Sequence, residues 1–474
     1  MRHLVGLILS LFPVLGAAQP APPPSPGPAS AAKAAPTEDA MLRALIQEVL
    51  ENNSDLQRTQ SLVEAEKERI PQAKALPDPS LGLGIQNDGF KRLQVGRMES
   101  SYYLVSVTQP LPWPGKRGLR GEIAALGVES QQTLRTRTQL TLVADLKRAY
   151  YGLRLVRDQL ALLDLQAGLL ERAEGITKVR YEVGQGSQAD LLRAQLERTR
   201  LREKRLGLDA EAGALLAEVN HLRRAGHDEP VATPPALGPF PLPVLEELES
   251  LLGRSESASP EIQAARLNFQ QAERSLDLAK LERRPDFAVS AGLMPRGGLE
   301  PMWQLGFSIG LPVFSRQKQQ RAVAEQGWRR LAGGSELDSV RHMLRQRTEV
   351  RHVQLGLALE TLRLYREGLL IQSEGSYSAA LAQYEAGRTS FLAALEALNG
   401  WIADRSGYLQ AQAQALSLAI AQEELALGPT TPISSQVLAS TAMGSGGAPP
   451  SASSKPTSSN PVSSPAESGS AKSM

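Results

Sequence analysis

Metal ligation, proton transfer and nucleophilic attack each need particular side chains at particular spacings, and this sequence supplies few of them. The five histidines, His3, His221, His227, His342 and His352, show no zinc-ligand spacing, and no HExxH helix brings two of them onto one face. With no cysteine in the chain, a disulfide scaffold, a thiolate zinc site, a cysteine nucleophile and a lipid anchor on cysteine are all excluded. No phosphate-cradling P-loop and no GxSxG elbow occurs. Glu64, Glu66 and Glu68 stand beside Lys67 and Arg69 and read as a solvated helix face. The eight methionines are scattered. The expectation is a protein with no catalytic residue, no metal site and no cofactor, and not an enzyme.

The side chains with regular spacing are apolar, and their period is two. Phe287, Val289, Ala291 and Leu293 alternate with Ala288, Ser290 and Gly292. Trp303, Leu305, Phe307, Ile309 and Leu311 alternate with Gln304, Gly306, Ser308 and Gly310. In the first half, Leu81, Leu83 and Ile85 alternate with Gly82, Gly84 and Gln86, and Tyr103, Val105 and Val107 with Leu104, Ser106 and Thr108. One apolar face and one small or polar face fits lipid outside and water inside. It also fits an ordinary half-buried antiparallel sheet. Eight of the 21 aromatic residues fall within 80–114 and 286–314, and Trp113, Trp303 and Phe314 lie near strand ends, where interfacial girdles sit. That placement favours lipid. The side chains expected to face it are Leu81, Leu83, Ile85, Tyr103, Val105, Val107, Phe287, Val289, Leu293, Trp303, Leu305, Phe307 and Ile309. Four strands cannot close a barrel, and open edges are forbidden in lipid. Either several chains share one barrel or the strands lie outside a membrane.

The elements around these strands recur. Tyr181-Glu182-Val183-Gly184 is matched by Tyr384-Glu385-Ala386-Gly387, Asp55-Leu56-Gln57 by Glu261-Ile262-Gln263, Pro77-Asp78 by Pro285-Asp286, and Leu111-Pro112 by Leu311-Pro312. The landmarks keep their order, which predicts two internal repeats. Each repeat reads as a helix, two strands, a long helix, a Gly turn and a return helix. Of the 32 prolines, none falls from Gly115 to Glu229 or from Val313 to Gly428. Since proline costs about 3 kcal/mol inside a helix, each gap predicts a long helical arm. Helices are expected over 40–75, 115–180, 188–225, 259–283, 315–383 and 390–427. Within 115–180, Leu142, Leu146, Ala149, Leu153, Val156, Leu160, Leu163, Ala167 and Leu170 step four and three in turn, a coiled-coil seam. A helix of about 65 residues is roughly 100 Å long, about the sum of the opening and return helices, so two short rods stacked end to end match one long rod.

The expected organisation is a signal peptide at 1–18, a disordered Pro/Ala-rich linker at 19–37, repeat 1 at 38–224 with strands at 80–88 and 101–110, an inter-repeat segment at 225–258, repeat 2 at 259–428 with strands at 286–294 and 302–312, and a disordered Ser/Pro-rich tail at 429–474. The apolar run Leu4–Val14 is too short to span a bilayer, and no other run approaches the ~18 residues a spanning helix needs. The net charge of +2 gives no reason to expect a nucleic-acid partner.

Three features together carry a family resemblance: the LPDPSLGLGI run from Leu76 to Ile85, the QPLPWPGKR run from Gln109 to Arg117, and the duplicated YExG turns. In this order the chain, over about 38–428, resembles the TolC-type outer-membrane efflux proteins, with the QPLPWPGK run resembling the cation and heavy-metal efflux branch. The resemblance implies a mainly α fold with a small β part: a homotrimer whose twelve-stranded transmembrane β-barrel, four strands per chain, sits on a long α-helical coiled-coil barrel. It also implies a passive exit duct in the outer membrane of a Gram-negative-type bacterium, reaching into the periplasm and working with a periplasmic adaptor and an inner-membrane efflux transporter. The adaptor-contacting tips would then be Val183, Gly184, Gln185, Gly186 and Ser187, and Ala386, Gly387, Arg388, Thr389 and Ser390. Family channels often carry an acidic ring near the entrance, for which this chain offers Glu374 and Glu385. A periplasmic coiled-coil adaptor or a structural surface protein without a pore is the alternative; the adaptor predicts one hairpin per chain and a β-rich flanking domain, against the duplication, and the surface protein does not need two duplicated strand pairs.

Overall fold

The computed structural model describes residues 40–428, with 430 and 433. The expected signal peptide, the linker at 19–37 and nearly all of the tail lie outside the described residues.

Helix α1 (Ala40–Asn52) is followed directly by α2 (Ser54–Lys74). Asn53 divides them, because its side chain turns back to accept from the Asp55 N–H at 2.8 Å and caps α2. The single helix expected over 40–75 is therefore two. Strands β1 (Ser80–Gln86) and β2 (Tyr102–Leu111) come next, then α3 (Lys116–Glu182) and α4 (Gln188–Arg223). Helix α3 has 67 residues without a break, about 100 Å of rod. The chain then passes through the proline-rich stretch to α5 (Leu248–Ala258), which begins only after the last of those prolines, Pro243. Helix α6 (Pro260–Leu281) starts with proline at its first turn and is capped by Ser259. Strands β3 (Asp286–Arg296) and β4 (Leu299–Gly310) lead to α7 (Gln319–Leu364), a π turn (Tyr365–Leu369), α8 (Leu370–Glu385) and α9 (Phe391–Glu424).

The π turn has a cause in the spacing. The buried face of α7 runs Leu344, Thr348, Arg351, Leu355, Ala358, Leu362 in steps of four and three. Half-buried Tyr365 continues that face in a step of three; the next inward side chain is the half-buried Leu370, then Ser373 and the buried Tyr377 and Tyr384. From Leu362 to Leu370 the step is one residue longer than a heptad, and the wider turn absorbs it. Tyr365 there packs toward α9, with its ring 6.3 Å from that of Tyr408.

The sheet is antiparallel throughout, in the order β1-β2-β3-β4. The helices repeat that order. Beneath the sheet the neighbours run α2–α3–α6–α7; farther from it they run α4–α3–α9–α8. One flank therefore carries β1, α2 and α4, and the other β4, α7 and α8. The most extensive cluster of buried residues lies midway along α3, where Tyr150, Tyr151, Leu153 and Leu155 are buried with α1, Val231, Phe240 and Ile433. Of the nine seam residues of α3, Leu142, Leu146, Ala149, Leu153, Val156, Leu163 and Leu170 are buried. Charged side chains tie the proline-rich stretch down at the same level. Arg154 donates to the Pro239 carbonyl at 2.6 Å and lies 4.0 Å over the Phe240 ring, and Asp158 accepts from the Leu237 N–H at 2.7 Å.

Candidate functional site: an apolar strand face and paired helical tips

In an antiparallel ladder, directly opposed residues share a face. Leu81, Leu83 and Ile85 oppose Val107, Val105 and Tyr103. Val105 opposes Leu293, and Leu111 opposes Phe287. Phe287, Val289, Ala291 and Leu293 oppose Ile309, Phe307, Leu305 and Trp303. All the strand residues singled out by their period therefore meet on one face of one sheet. Twelve of the thirteen are exposed, up to 74% for Leu83 and 72% for Trp303 and Leu305. Phe287 is half-buried because its ring stacks between Trp113, at 5.4 Å, and Phe307, at 5.6 Å. A contiguous exposed apolar sheet of this size marks contact with lipid or another chain. The opposite face holds Gly82, Ser106, Ser290, Gly292, Gln304, Gly306 and Ser308. There glycine and a polar side chain face each other: a Cβ on Gly82 would lie 2.7 Å from the Ser106 hydroxyl oxygen.

The two most telling sequence runs meet where the sheet joins the helices. Lys116, only 3% exposed, donates to Asp286 Oδ1 at 2.7 Å and to the Arg284 carbonyl at 3.0 Å. The Trp113 N–H donates to the same carboxylate oxygen at 2.7 Å, and the Arg284 guanidinium lies 5.7 Å from the Trp113 ring. Arg117 donates to the Lys74 carbonyl at 2.7 Å, so α2, α3 and β3 are pinned at one point. The WPGK run and the Pro285-Asp286 pair are thus two halves of one joint.

At the far end, Val183–Ser187 turn α3 into α4, and Ala386–Ser390 turn α8 into α9. Gly184 and Gly387 both have φ of +74°, the region glycine enters without a Cβ clash. The Ser187 and Ser390 hydroxyls accept from the Asp190 N–H at 3.2 Å and the Ala393 N–H at 3.3 Å, capping the return helices. The two tips are held to each other. The Tyr384 hydroxyl and Thr177 Oγ1 lie 2.7 Å apart and buried, and Arg180 donates to the Tyr384 carbonyl at 2.9 Å with its guanidinium 5.1 Å from the ring. Beside this contact runs a cleft of about 650 Å³ lined by Arg172, Val179, Arg180, Gln185, Glu385 and Gly387. Glu385 thus lines the cleft, whereas Glu374 is exposed on α8.

Sequence reasoning passed over Thr177 and Arg180. A signal existed: Thr177 stands one heptad beyond Leu170 on the same seam, a polar residue where the pattern calls for an apolar one. Among the described residues no group of histidine, aspartate and glutamate could hold a metal ion, and no helix is long and apolar enough to cross a membrane.

A family model described as outer membrane efflux protein matches residues 45–225 and 251–426. Among solved structures, the chain is similar to the outer membrane protein VceC of Vibrio cholerae, with a TM-score of 0.68 and 16% identity over 83% of this chain and 97% of that one. It is similar to the open state of the MtrE outer membrane channel of Neisseria gonorrhoeae, with a TM-score of 0.64 and 19% identity over 84% and 91%. For the CmeC outer membrane channel of Campylobacter jejuni the values are 0.65 and 14% over 85% and 89%. At these identities the likeness is one of fold.

Proposed function

The chain belongs to the outer membrane efflux protein family, a protein of the outer membrane that extends into the periplasm, and from that premise we propose that it is the exit duct of a tripartite efflux system. Three copies each contribute four strands to one twelve-stranded barrel, and their helices form a tube across the periplasm. An inner-membrane transporter supplies the energy and a periplasmic adaptor bridges the two. The observation that carries this reading is the alignment of edges. β1, α2 and α4 lie on one flank, and β4, α7 and α8 on the other. A copy rotated about a single axis can then pair β4 with β1 and complete helix packing in the same movement, the head-to-tail contact that closes a ring. Ring closure removes both open strand edges, which lipid does not tolerate. The alternating faces then place leucine, valine and aromatic side chains in lipid and glycine, serine and glutamine in the pore.

Two internal repeats would account for the matching order of strands and helices in the two halves. The tips Val183–Ser187 and Ala386–Ser390 are the proposed adaptor contacts, and the Thr177–Tyr384–Arg180 contact keeps them drawn together until the adaptor engages. Conduction is passive, through a water-filled lumen. The proposal is tested by fractionating cells that express the chain. Recovery with the outer membrane, as an oligomer, is the expected result; recovery in the soluble periplasm would favour an adaptor-like or structural role without a pore.

A further inference from the structure

The strip in which β4 passes into α7, residues 311–330, has no part in conduction or in the tips. We propose that it docks on the anionic headgroups of phospholipids in the leaflet at the periplasmic end of the barrel. This rests on the reading of the sheet as membrane-spanning.

The outward parity of β4 continues beyond its last residue. Leu311 and Val313 follow Trp303, Leu305, Phe307 and Ile309 in step, and Leu311, Val313, Phe314 and Trp328 are between 65% and 75% exposed. Between Phe314 and Trp328 come Arg316, Lys318 and Arg321, all exposed and without an ion-pair or side-chain hydrogen-bond partner among the described residues. No acidic residue occurs between Glu300 and Glu325. The corresponding joint of the first half carries as many cations but uses them internally. Lys116 binds Asp286, Arg117 donates to the Lys74 carbonyl, and Arg120 pairs with Glu282 at 3.9 Å. Free positive charge is therefore a property of the second joint.

A second copy docked along this flank would bring its residues 66–79 to the strip. There Lys67 pairs with Glu64 at 2.9 Å and Arg69 with Glu66 at 2.6 Å, which leaves Glu68 and Asp78 beside Lys74, one surplus acid to set against three cations. A lipid surface supplies what the neighbour lacks. Leu311 and Val313 enter the acyl region, Phe314 sits at the interface, and the cations reach the phosphates. The strip then fixes the height at which the barrel rides in the bilayer.

The test uses the full chain reconstituted into vesicles of equimolar phosphatidylcholine and phosphatidylglycerol. Flotation reports insertion, and native mass spectrometry after gentle extraction counts the lipids of each headgroup that stay bound. Phosphatidylglycerol should be retained in excess. In Arg316→Gln/Lys318→Gln/Arg321→Gln that excess should fall about a hundredfold, as expected for losing three near-surface cations together, while flotation is unchanged. Raising the salt from low to about 1 M, where screening acts within ~3 Å, should reduce the excess in the unsubstituted chain. Equal retention of the two headgroups by the unsubstituted, floating chain would overturn the proposal, and so would binding of inorganic phosphate without lipid preference. Failure of the unsubstituted chain to float would instead overturn the membrane-spanning reading. Should the triple variant not assemble, the headgroup and salt comparisons on the unsubstituted chain still decide.

Discussion

Tyr384 joins the two helical tips through its hydroxyl and its carbonyl, and each can be tested separately from the fold. Tyr384→Phe keeps the ring but removes the buried bond to Thr177, worth about 1 kcal/mol. The expected outcome is a higher resting conductance in planar bilayers with the oligomer intact; an unchanged resting conductance would show that this contact does not hold the entrance. Gly387→Val forces a β-branched residue to φ of +74°, at a cost of about 1–2 kcal/mol or more. Export should fall while native electrophoresis still shows the assembled oligomer. Asp158 bears on stability rather than transport. Burial raises its pKa, with the Leu237 N–H and Arg154 opposing that shift. Its folded value therefore lies above its unfolded one, near 3.9, and the buried carboxylate destabilises the fold at pH values above the folded pKa. This contribution to stability should fall as pH rises from the ordinary aspartate range through the raised value. Asp158→Asn retains an oxygen for the Leu237 N–H, so thermal melts of that variant should lose this part of the pH dependence. A pH profile identical to that of the unsubstituted chain would place Asp158 in a more polar setting than its 1% exposure indicates.

Elements were legible in the sequence wherever a period ran unbroken. The strand alternation from Phe287 to Leu293 and Trp303 to Ile309, and the seam from Leu142 to Leu170, each identify an element and its inward or outward face, because a period of two or of three and a half leaves one face apolar. What escaped is what no period encodes. Asn53 divides an opening helix with one side chain that accepts from the Asp55 N–H and donates to the Leu222 carbonyl. The π turn follows from one surplus residue between Leu362 and Leu370, visible only once the buried face of each half is known. The Lys116–Asp286 contact joins residues 170 apart, and no periodicity connects them. Deleting Gly368, which has open space around it, should convert the π turn into ordinary helix and leave assembly and melting temperature unimpaired. A loss of the oligomer would mean the wider turn is required for packing. Lys116→Met removes a buried charge-assisted hydrogen bond and should lower stability by about 1.5–3 kcal/mol, seen as a lower melting temperature of the purified oligomer.

For the whole molecule, the aligned flanks are the central feature, and the cysteine-free sequence gives a clean background for testing them. Within one chain β1 and β4 are separated by two strands, about 14 Å at ordinary strand spacing, beyond the roughly 7 Å limit for a disulfide. Cysteines scanned along β1 at Gly82 and Gly84 and along β4 at Gly306 and Ser308 can therefore bridge only between copies. Ion flow is the most direct test of the duct itself. The oligomer purified from the outer membrane would be placed in a planar bilayer and its single-channel currents recorded before and after Tyr384→Phe. Discrete, stable conductance steps that increase in the variant are expected. An assembled, inserted oligomer that carries no current in either form would contradict the account.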